Sequence, residues 1–407
     1  MHRWFLLVLS LLCLGMTGCG GPVSIGGSSS MATGFEPLKE PGYYQEVIMQ
    51  PNGEFLARYK IDDAQAASAG QIYKVDFNGD KKLEKITAVY GGNAINAAWR
   101  DTVDRGFDFA AVTIEYQDGY IKYNFKNARM AAAPGYYGAY AIRYKIDEEK
   151  KKSKVAYFYN KQGEQFSTGL GCAQLLFTYD DKGALIKVGY ANTNGERVTT
   201  THKDYETRFK YDSGKKPIEI ANYGKDDSLM VDVTGIAKTT YKMDDKGRVT
   251  EARHFGSDES LKEKNTPKLQ ADRVLTAISA GAITKYTYDG DNMMPSKIAF
   301  YGKDEQPLGI KAWGNIASYK LKYTKERNVA EISTYGTDDA PVPLDRDIIG
   351  DNVVKLIMSY DNHGNLIKIS FYGKDDNMVI ASKLNAAESR RKYDDKRRNT
   401  EDAYFGT

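Results

Sequence analysis

The feature that most constrains the fold is a two-part unit that recurs along most of the chain. In its clearest copy, residues 354–376, apolar residues alternate with polar ones until Asp361, where a turn around Gly364 begins. A second alternating run follows and ends at a turn that starts with Tyr372. Alternation at period two, closed by Gly, Asn and Asp, is typical of a β-hairpin. Each unit is therefore predicted to form two antiparallel strands.

The copies follow one another at a nearly constant interval. The first turn of each unit opens with an acid, at Asp147, Asp180, Asp212, Asp244, Asp289, Asp361 and Asp394. The second turn opens with an aromatic residue, at Tyr223, Phe255, Tyr301, Tyr335 and Tyr372. These aromatic residues are 32, 46, 34 and 37 positions apart, a period of about 34 with one insertion, which indicates a repeat architecture. The fold class predicted is mainly β, with tandem antiparallel hairpins in an elongated or curved, solenoid-like sheet. One short helix is predicted in the insertion at residues 262–280.

Two neighbouring positions of the unit predict which face of the sheet is buried. Four residues before each second turn stands a charged residue, at Glu219, Glu251, Lys297, Glu331, Lys368 and Glu401. The next residue is apolar, at Ile220, Ala252, Ile298, Ile332 and Ile369, and only the last copy breaks this rule, with Asp402. Successive strand residues point to opposite faces, so one face should be solvated and the other packed. The last hairpin is predicted to be a polar cap for the array.

The N-terminus carries the features of an exported chain. Arg3 precedes an apolar run, residues 4–16, that matches the core of a signal peptide and is too short to span a bilayer comfortably. Met16-Thr17-Gly18-Cys19 resembles the lipobox of bacterial lipoproteins, which implies that Cys19 is lipidated. The predicted organisation is a signal peptide at 1–18, a flexible Gly/Ser tether at 19–40, an irregular N-terminal β region at 41–137 and the hairpin array at 138–407. The predicted location is the bacterial cell envelope, at the outer membrane or the cell surface.

The array also resembles a known group of proteins. The segments YDDKGALIKVGY, residues 179–190, and YDNHGNLIKISFYG, residues 360–373, are similar to the Tyr-Asp repeats of RHS-type bacterial proteins. The units here are longer and carry an added Tyr-Gly-x-Asp turn. The resemblance therefore implies an extended, secreted β-repeat and not the large shell that RHS repeats enclose.

One loop has the spacing of a calcium site. Asp76, Asn78, Asp80 and Glu84 stand at relative positions 1, 3, 5 and 9, where a calcium loop places its oxygen ligands. The setting resembles the DxNGD loops of calcium-binding β-propellers. Against this, Lys81 stands where such loops usually carry Gly. The alternative interpretation is an acidic Asn-Gly hairpin turn. No cofactor other than this candidate Ca²⁺ is indicated.

The remaining residues give little support for catalysis or nucleic-acid binding. His202, His254 and His363 lie at different positions of different copies, so they do not predict a zinc site or a triad. Cys172 is predicted to be a small core residue. With 57 basic and 54 acidic residues, the net charge of +3 is too balanced to indicate nucleic acid.

Three hypotheses for function follow from the sequence. The first is an envelope-anchored lipoprotein that acts without catalysis as an interaction or spacer scaffold, attached to the membrane through its N-terminal lipid and contacting another envelope protein. The second is a lipoprotein that binds a glycan or cell-wall polymer through exposed rows among its 30 tyrosines. The third is an enzyme of the N-terminal region.

Overall fold

The computed structural model describes residues 35–69, 71–99, 107–213, 217–264, 279–344, 349–350, 352–394 and 399–406. The predicted signal peptide, Cys19 and most of the tether lie outside these ranges. The helix predicted in the insertion also falls outside them, because residues 265–278 are not described. Within the described ranges, no helix is both long enough and apolar enough to cross a membrane.

The N-terminal region contributes ten strands and one helix. They are β1 Glu36–Pro37, β2 Gly42–Met49, β3 Phe55–Ile61, α1 Asp63–Ser68, β4 Ile72–Phe77, β5 Leu83–Tyr90, β6 Asn93–Ala94, β7 Ala97–Trp99, β8 Phe107–Phe109, β9 Ala111–Gln117 and β10 Tyr120–Lys126.

The array contributes eight hairpins. Their strands are β11 Ala141–Asp147, β12 Lys152–Tyr159, β13 Gln174–Tyr179, β14 Leu185–Ala191, β15 Glu206–Tyr211, β16 Pro217–Tyr223, β17 Lys238–Met243, β18 Val249–Phe255, β19 Ile283–Tyr288, β20 Pro295–Tyr301, β21 Ser318–Tyr323, β22 Val329–Tyr335, β23 Lys355–Tyr360, β24 Leu366–Tyr372, β25 Glu388–Tyr393 and β26 Asn399–Phe405. Short 3₁₀ turns lie at Tyr136–Gly138 and Lys311–Trp313.

The described strands form one antiparallel sheet of 24 strands and a separate pair, β7 and β8. From β9 to β26 each strand pairs with the next one in sequence, and β5 joins the N-terminal strands to β9. The edge on the N-terminal side runs β1-β3-β2-β4-β5. The predicted fold class, a mainly β array of antiparallel hairpins, is confirmed.

The array hairpins share one local geometry, which the first-turn acid helps to set. In β13–β14, Asp180 Oδ1 accepts the backbone N–H groups of Lys182 and Ala184 at 2.9 and 2.8 Å. Asp361 does the same for His363 and Asn365, both at 2.9 Å. A short carboxylate side chain can satisfy backbone donors in this way and so stabilises the turn. The strand pairing shifts by one residue just before each of these turns, which is a β-bulge.

The predicted alternation of faces is observed, but the charged position is less solvated than predicted. Ile220, Ile332 and Ile369 are at most 5% exposed on the inner face. On the outer face the side chain of Glu219 is only 15% exposed, because Lys210 of the facing strand lies 2.7 Å from its carboxylate. The same pairing recurs along the outer face, as Lys242–Glu251, Lys322–Glu331, Glu388–Lys368 and Lys392–Glu401. The charged position therefore points away from the core. Cross-strand ion pairs leave the side chains of Glu219, Glu251 and Glu331 11–21% exposed, whereas those of Lys368 and Glu401 are 39% and 49% exposed.

The sheet is strongly curved. Arg327 Nη1, in the turn between β21 and β22, donates to Gln45 Oε1 of β2 at 2.8 Å. About fifteen strand spacings separate β2 from β21 in the sheet, so a flat sheet would place the two residues about 70 Å apart. The sheet therefore curls until its N-terminal strands meet the turns of later hairpins.

The hairpin β2–β3 fills the inside of this curl at its first hairpins. Its turn carries Gly53, whose carbonyl accepts the hydroxyl of Tyr123 at 2.6 Å. Gly53 has φ +86°, and a Cβ there would lie 2.9 Å from the ring of Tyr144 on β11, so only glycine fits. Glu54 continues the contact with an ion pair of 2.6 Å to Lys152 of β12. Apolar residues of β2 and β3 form a continuous core with inner-face residues as far as β18.

One detail of the N-terminal region differs from the sequence expectation. Helix α1 was not predicted. Its N-cap is a capping box in which Asp62 accepts the N–H of Gln65 at 2.7 Å and the Gln65 side chain accepts the N–H of Asp62 at 3.0 Å. That Asp-x-x-Gln spacing is the signal that could have located the helix.

The last hairpin has the polar inner face that the sequence predicted. Arg391 and Asp402 occupy the paired inner positions that Met358 and Ile369 occupy in β23–β24. They form an ion pair of 3.1 Å with side chains 6% and 14% exposed. Inward-pointing charges of this kind are a common way to protect the edge of a sheet.

Candidate functional site

The candidate calcium loop is held together by contacts of its own residues. Asp76 forms ion pairs with Lys74 at 3.1 Å and Lys85 at 3.4 Å. Asn78 Oδ1 accepts the backbone N–H groups of Asp80 and Lys82, both at 3.0 Å. These contacts occupy two of the four predicted oxygen ligands with N–H and ammonium donors, so the residues do not fit a calcium ion well. Among the described residues, no group of three or more His, Cys, Asp or Glu side chains could hold a metal.

The other two predicted calcium ligands, Asp80 and Glu84, are exposed to solvent. Lys81, between them, adopts a left-handed φ of 59°. Calcium loops usually carry glycine at this position, because the left-handed conformation favours glycine. Lys81 was therefore evidence against a calcium loop. The loop adopts this conformation nevertheless, as part of an Asx turn around Asn78. Calcium binding here stays a prediction that the geometry does not favour.

Cys172 and His254 are buried residues of the core. Cys172 is fully buried, and burial raises the pKa of its thiol to about 12. His254 is also fully buried, between Thr239 Oγ1 at 3.0 Å and Ser279 Oγ at 2.7 Å. Burial lowers the pKa of His254 to about 3, so this imidazole is neutral. A serine beside a histidine can act as a nucleophile, but no substrate could reach this pair.

One row of tyrosines connects six of the described array hairpins to the hairpin before them. The tyrosine at the end of a first strand donates its hydroxyl to a backbone carbonyl at the start of the preceding hairpin's second strand. We call this row the hydroxyl ladder. Its bonds are 2.7–3.1 Å long and join Tyr179 to Ser153, Tyr211 to Leu185, Tyr288 to Val249, Tyr323 to Pro295, Tyr360 to Val329 and Tyr393 to Leu366. Met243 takes the tyrosine position in β17.

A second aromatic row lies on the outer face under basic side chains. Each aromatic residue that opens a second turn has a cation 3.8–5.1 Å above its ring, which is a cation–π contact. The pairs are Arg208 over Tyr223, Lys238 over Phe255, Lys285 over Tyr301, Lys320 over Tyr335, Lys355 over Tyr372 and Arg390 over Phe405. Lys355 also pairs with Asp376, an acid in the same second turn, and Lys238 pairs with Glu259 in the same way.

Both rows are thus used by the array itself. The ladder tyrosines are half-buried with their hydroxyl groups bonded, and the outer rings are covered by Arg and Lys side chains. Rings covered in this way present little free face to a sugar. The two rows do not support the hypothesis of glycan binding by exposed tyrosines.

A cavity of about 590 Å³ lies where the N-terminal elements meet the turns of later hairpins. Strands β2, β3 and β4 and helix α1 form one wall. The opposite wall consists of the first turns of three successive hairpins, β19–β20, β21–β22 and β23–β24. We call this space the junction cavity. Its volume is within the range of small-molecule sites, and such sites are frequent where two parts of a protein meet.

Polar side chains make up most of the lining. Five are amides, Gln45, Gln65, Gln71, Asn328 and Asn362. The apolar lining residues are Ile61, Ala69, Ile72 and Met294, and the backbone and side chains of Thr324–Arg327, Tyr360, Asp361 and Gly364 complete the site. No sequence pattern indicated this site, because the residues of its two walls are more than 200 positions apart in the chain.

Charged side chains of both signs lie at the junction cavity. Glu46 and Arg58 form a buried ion pair of 2.7 Å, with side chains 11% and 3% exposed. The Arg58 guanidinium lies 5.0 Å from the ring centre of Tyr59, and the Arg327 guanidinium lies 3.8 Å from the same centre. Arg327 has a left-handed φ of 67° and holds Gln45. Arg327 and the Glu46–Arg58 pair therefore connect residues on both sides of the cavity through Tyr59 and Gln45.

Comparisons with known proteins do not assign a family. No protein-family model matches the chain, and no curated protein matches it. A porin-like protein of Bacteroides uniformis is 10% identical and has a TM-score of 0.27, with 72% of this chain and 85% of that chain covered. The Tc holotoxin pore of Photorhabdus luminescens is 10% identical with a TM-score of 0.25, covering 82% of this chain and 17% of that one. A porin-like protein of Bacteroides vulgatus is 10% identical with a TM-score of 0.21, covering 65% and 88%. Scores at this level support no conclusion about function.

Proposed function

We propose that the protein is an envelope-anchored lipoprotein that acts as a non-catalytic interaction or spacer scaffold through its hairpin array. The observation that carries the scaffold role is the hydroxyl ladder. Successive hairpins already pair through their backbones, and the tyrosine adds a second bond to the preceding hairpin near the first turn. Such added bonds stiffen the array, which is what a spacer requires. The proposed location in the envelope rests on Arg3, the apolar run that follows it and the lipobox-like segment that ends at Cys19.

Two observations support the non-catalytic part of the proposal. Ser279 and His254 are both buried, and Cys172 is a buried thiol whose pKa is raised. The two parts of the proposal, anchor and scaffold, can be tested in one experiment.

Cells producing the full chain are labelled with a fatty acid and then fractionated. The wild-type chain is expected to carry the label and to sediment with the envelope, whereas Cys19→Ser is expected to lose both properties. Cys172→Ser is the matched control, because it removes the other cysteine of the mature chain and should keep the label. A wild-type chain that is unlabelled and soluble would overturn the anchor.

The scaffold role is tested by chemical cross-linking in the same cells. Wild-type protein at the envelope is expected to form cross-linked species with other envelope components, and Cys19→Ser is expected to lose them. If anchored wild-type protein forms none, the interaction role is wrong.

A further inference from the structure

We propose that the junction cavity binds a neutral, polyhydroxylated ligand of saccharide type. This inference goes beyond the scaffold role and does not depend on the lipid anchor. It rests on the chemistry of the lining, on the balance of its charges, and on the position of the cavity between two parts of the fold.

The amide side chains define what the cavity can recognise. An amide offers both donors and an acceptor, and a sugar hydroxyl also does both. Five amides line the cavity, where a site for an apolar ligand would place mainly aliphatic and aromatic residues. Gln45 accepts from Arg327 through its Oε1 atom, a bond that does not use its NH₂ group. The Arg327 contact fixes the orientation of that amide.

The charges exclude an anion as the preferred ligand. Two basic side chains, Lys325 and Arg327, line the cavity with three acidic ones, Glu46, Glu326 and Asp361. Both carboxylate oxygens of Asp361 accept hydrogen bonds within the turn, from the backbone N–H of His363 and from the side-chain amide of Asn365. A site for phosphate or carboxylate needs a surplus of positive charge, and this lining has three acidic side chains against two basic ones. A neutral ligand fits the balance.

The apolar part of the lining suits the other face of a sugar. Ile61, Ile72 and Met294 are largely buried and contribute apolar atoms to the same lining as the amides. Sugar rings present C–H groups as well as hydroxyls, so a lining that mixes aliphatic surface with amides can hold both. The rigid ion pair Glu46–Arg58 behind this wall means that little ordering is required when a ligand binds.

The test measures binding of neutral sugars to the purified full chain. Saturation-transfer NMR with a panel of neutral di- and trisaccharides identifies a binder, and titration calorimetry gives its Kd. We expect at least one neutral sugar to bind, and a uronic-acid sugar of the same size to bind at least tenfold more weakly. Absence of transfer from every neutral sugar, with the chain folded, would overturn the inference, as would equal or tighter binding of the acidic sugar.

Two substitutions place the binding in the cavity. Asn362→Leu and Gln71→Leu are each expected to raise the Kd at least tenfold. Asn362 is exposed at a turn, where the corresponding residues of other hairpins are Asp181 and Lys325, so the fold should tolerate the change. Gln162→Leu, in an exposed turn away from the cavity, is the matched control and should bind as the wild type does. Equal Kd values for the cavity variants and the wild type would show that the sugar binds elsewhere and overturn the assignment.

Discussion

Asp204 is a carboxyl group at a position that other hairpins fill with apolar side chains. It stands two residues before β15, and Cys172 and Ile236 hold the same place before β13 and β17. Asp204 is 1% exposed and Asp232, also buried, is 3% exposed. Burial, with a further contribution from the charge of Asp232, raises the pKa of Asp204 to about 8.

This raised pKa predicts a loss of stability as the pH rises from about 4 to about 8. The folded chain keeps a proton on Asp204 between about pH 4 and pH 8, while the unfolded chain has released it, so the free energy of unfolding falls as the pH rises through this range. The slope is at most about 1.4 kcal/mol per pH unit. Asp204→Asn should remove it and raise the melting temperature at pH 8 relative to the wild type. Calorimetry at several pH values measures this.

The matched control for this prediction is Asp181→Asn. Asp181 lies in an exposed first turn, so its amide variant should keep the wild-type pH profile. If Asp204→Asn and the wild type have the same profile, Asp204 does not hold its proton in the folded chain.

The hairpin is the unit that the hydroxyl ladder connects, and the ladder predicts opposite effects for two substitutions. Tyr211→Phe removes the bond of 2.8 Å to the Leu185 carbonyl, which should lower the free energy of unfolding by about 1 kcal/mol. Met243→Tyr adds a hydroxyl at the ladder position that lacks one, and the carbonyl at the start of β16 is its expected acceptor. That change should stabilise the chain by a similar amount. Urea denaturation measures both.

The chain supplies its own control for the ladder. Tyr372→Phe removes a hydroxyl from the outer aromatic row, where Phe255 and Phe405 stand in other copies, so stability should change little. A loss in Tyr372→Phe equal to that in Tyr211→Phe would mean that any tyrosine hydroxyl matters, not the ladder.

The hairpins and their register are the part of the fold that local sequence determines. Alternation identifies the strands, and the Asp that opens each first turn satisfies the turn by itself, as Asp180 does. The curl is a different matter. The Gln45–Arg327 bond joins residues 282 positions apart, and no local pattern encodes it. The junction cavity depends on the same contact, so sequence reasoning could not find it.

Partner effects explain the other differences between sequence and structure. The alternation correctly placed Glu219 on the outer face, but it contained no information about Lys210 on the facing strand, which covers it. The tyrosines of the two rows are partly buried. What they contact, carbonyl groups in one row and cations in the other, depends on the pairing of strands across the sheet.

The ion pair Arg391–Asp402 makes the inner face of β25–β26 polar. We call this pair the cap, and it predicts what happens when the inner face is made apolar. In the double variant Arg391→Leu/Asp402→Ile the apolar inner row of earlier hairpins continues to β26. Among the described strands β26 pairs only with β25, so its free edge then borders an apolar face. Such edges self-associate. The double variant should therefore form dimers or larger species in analytical ultracentrifugation.

Two further measurements distinguish loss of the cap from a general effect of added apolar surface. They are the stability of a single variant and the association state of a control on the outer face. Asp402→Ile alone removes the carboxylate that pairs with the buried Arg391, so it should lower the free energy of unfolding by about 3 kcal/mol. The double variant removes both charges and should lower it much less. The control, Lys392→Leu/Glu401→Ile, places the same apolar pair on the outer face of the same hairpin, where Lys392 and Glu401 pair at 2.9 Å. It should remain a monomer, because the outer side chains do not border the core. Self-association of both double variants to the same degree would show that the inner charges do not act as a cap.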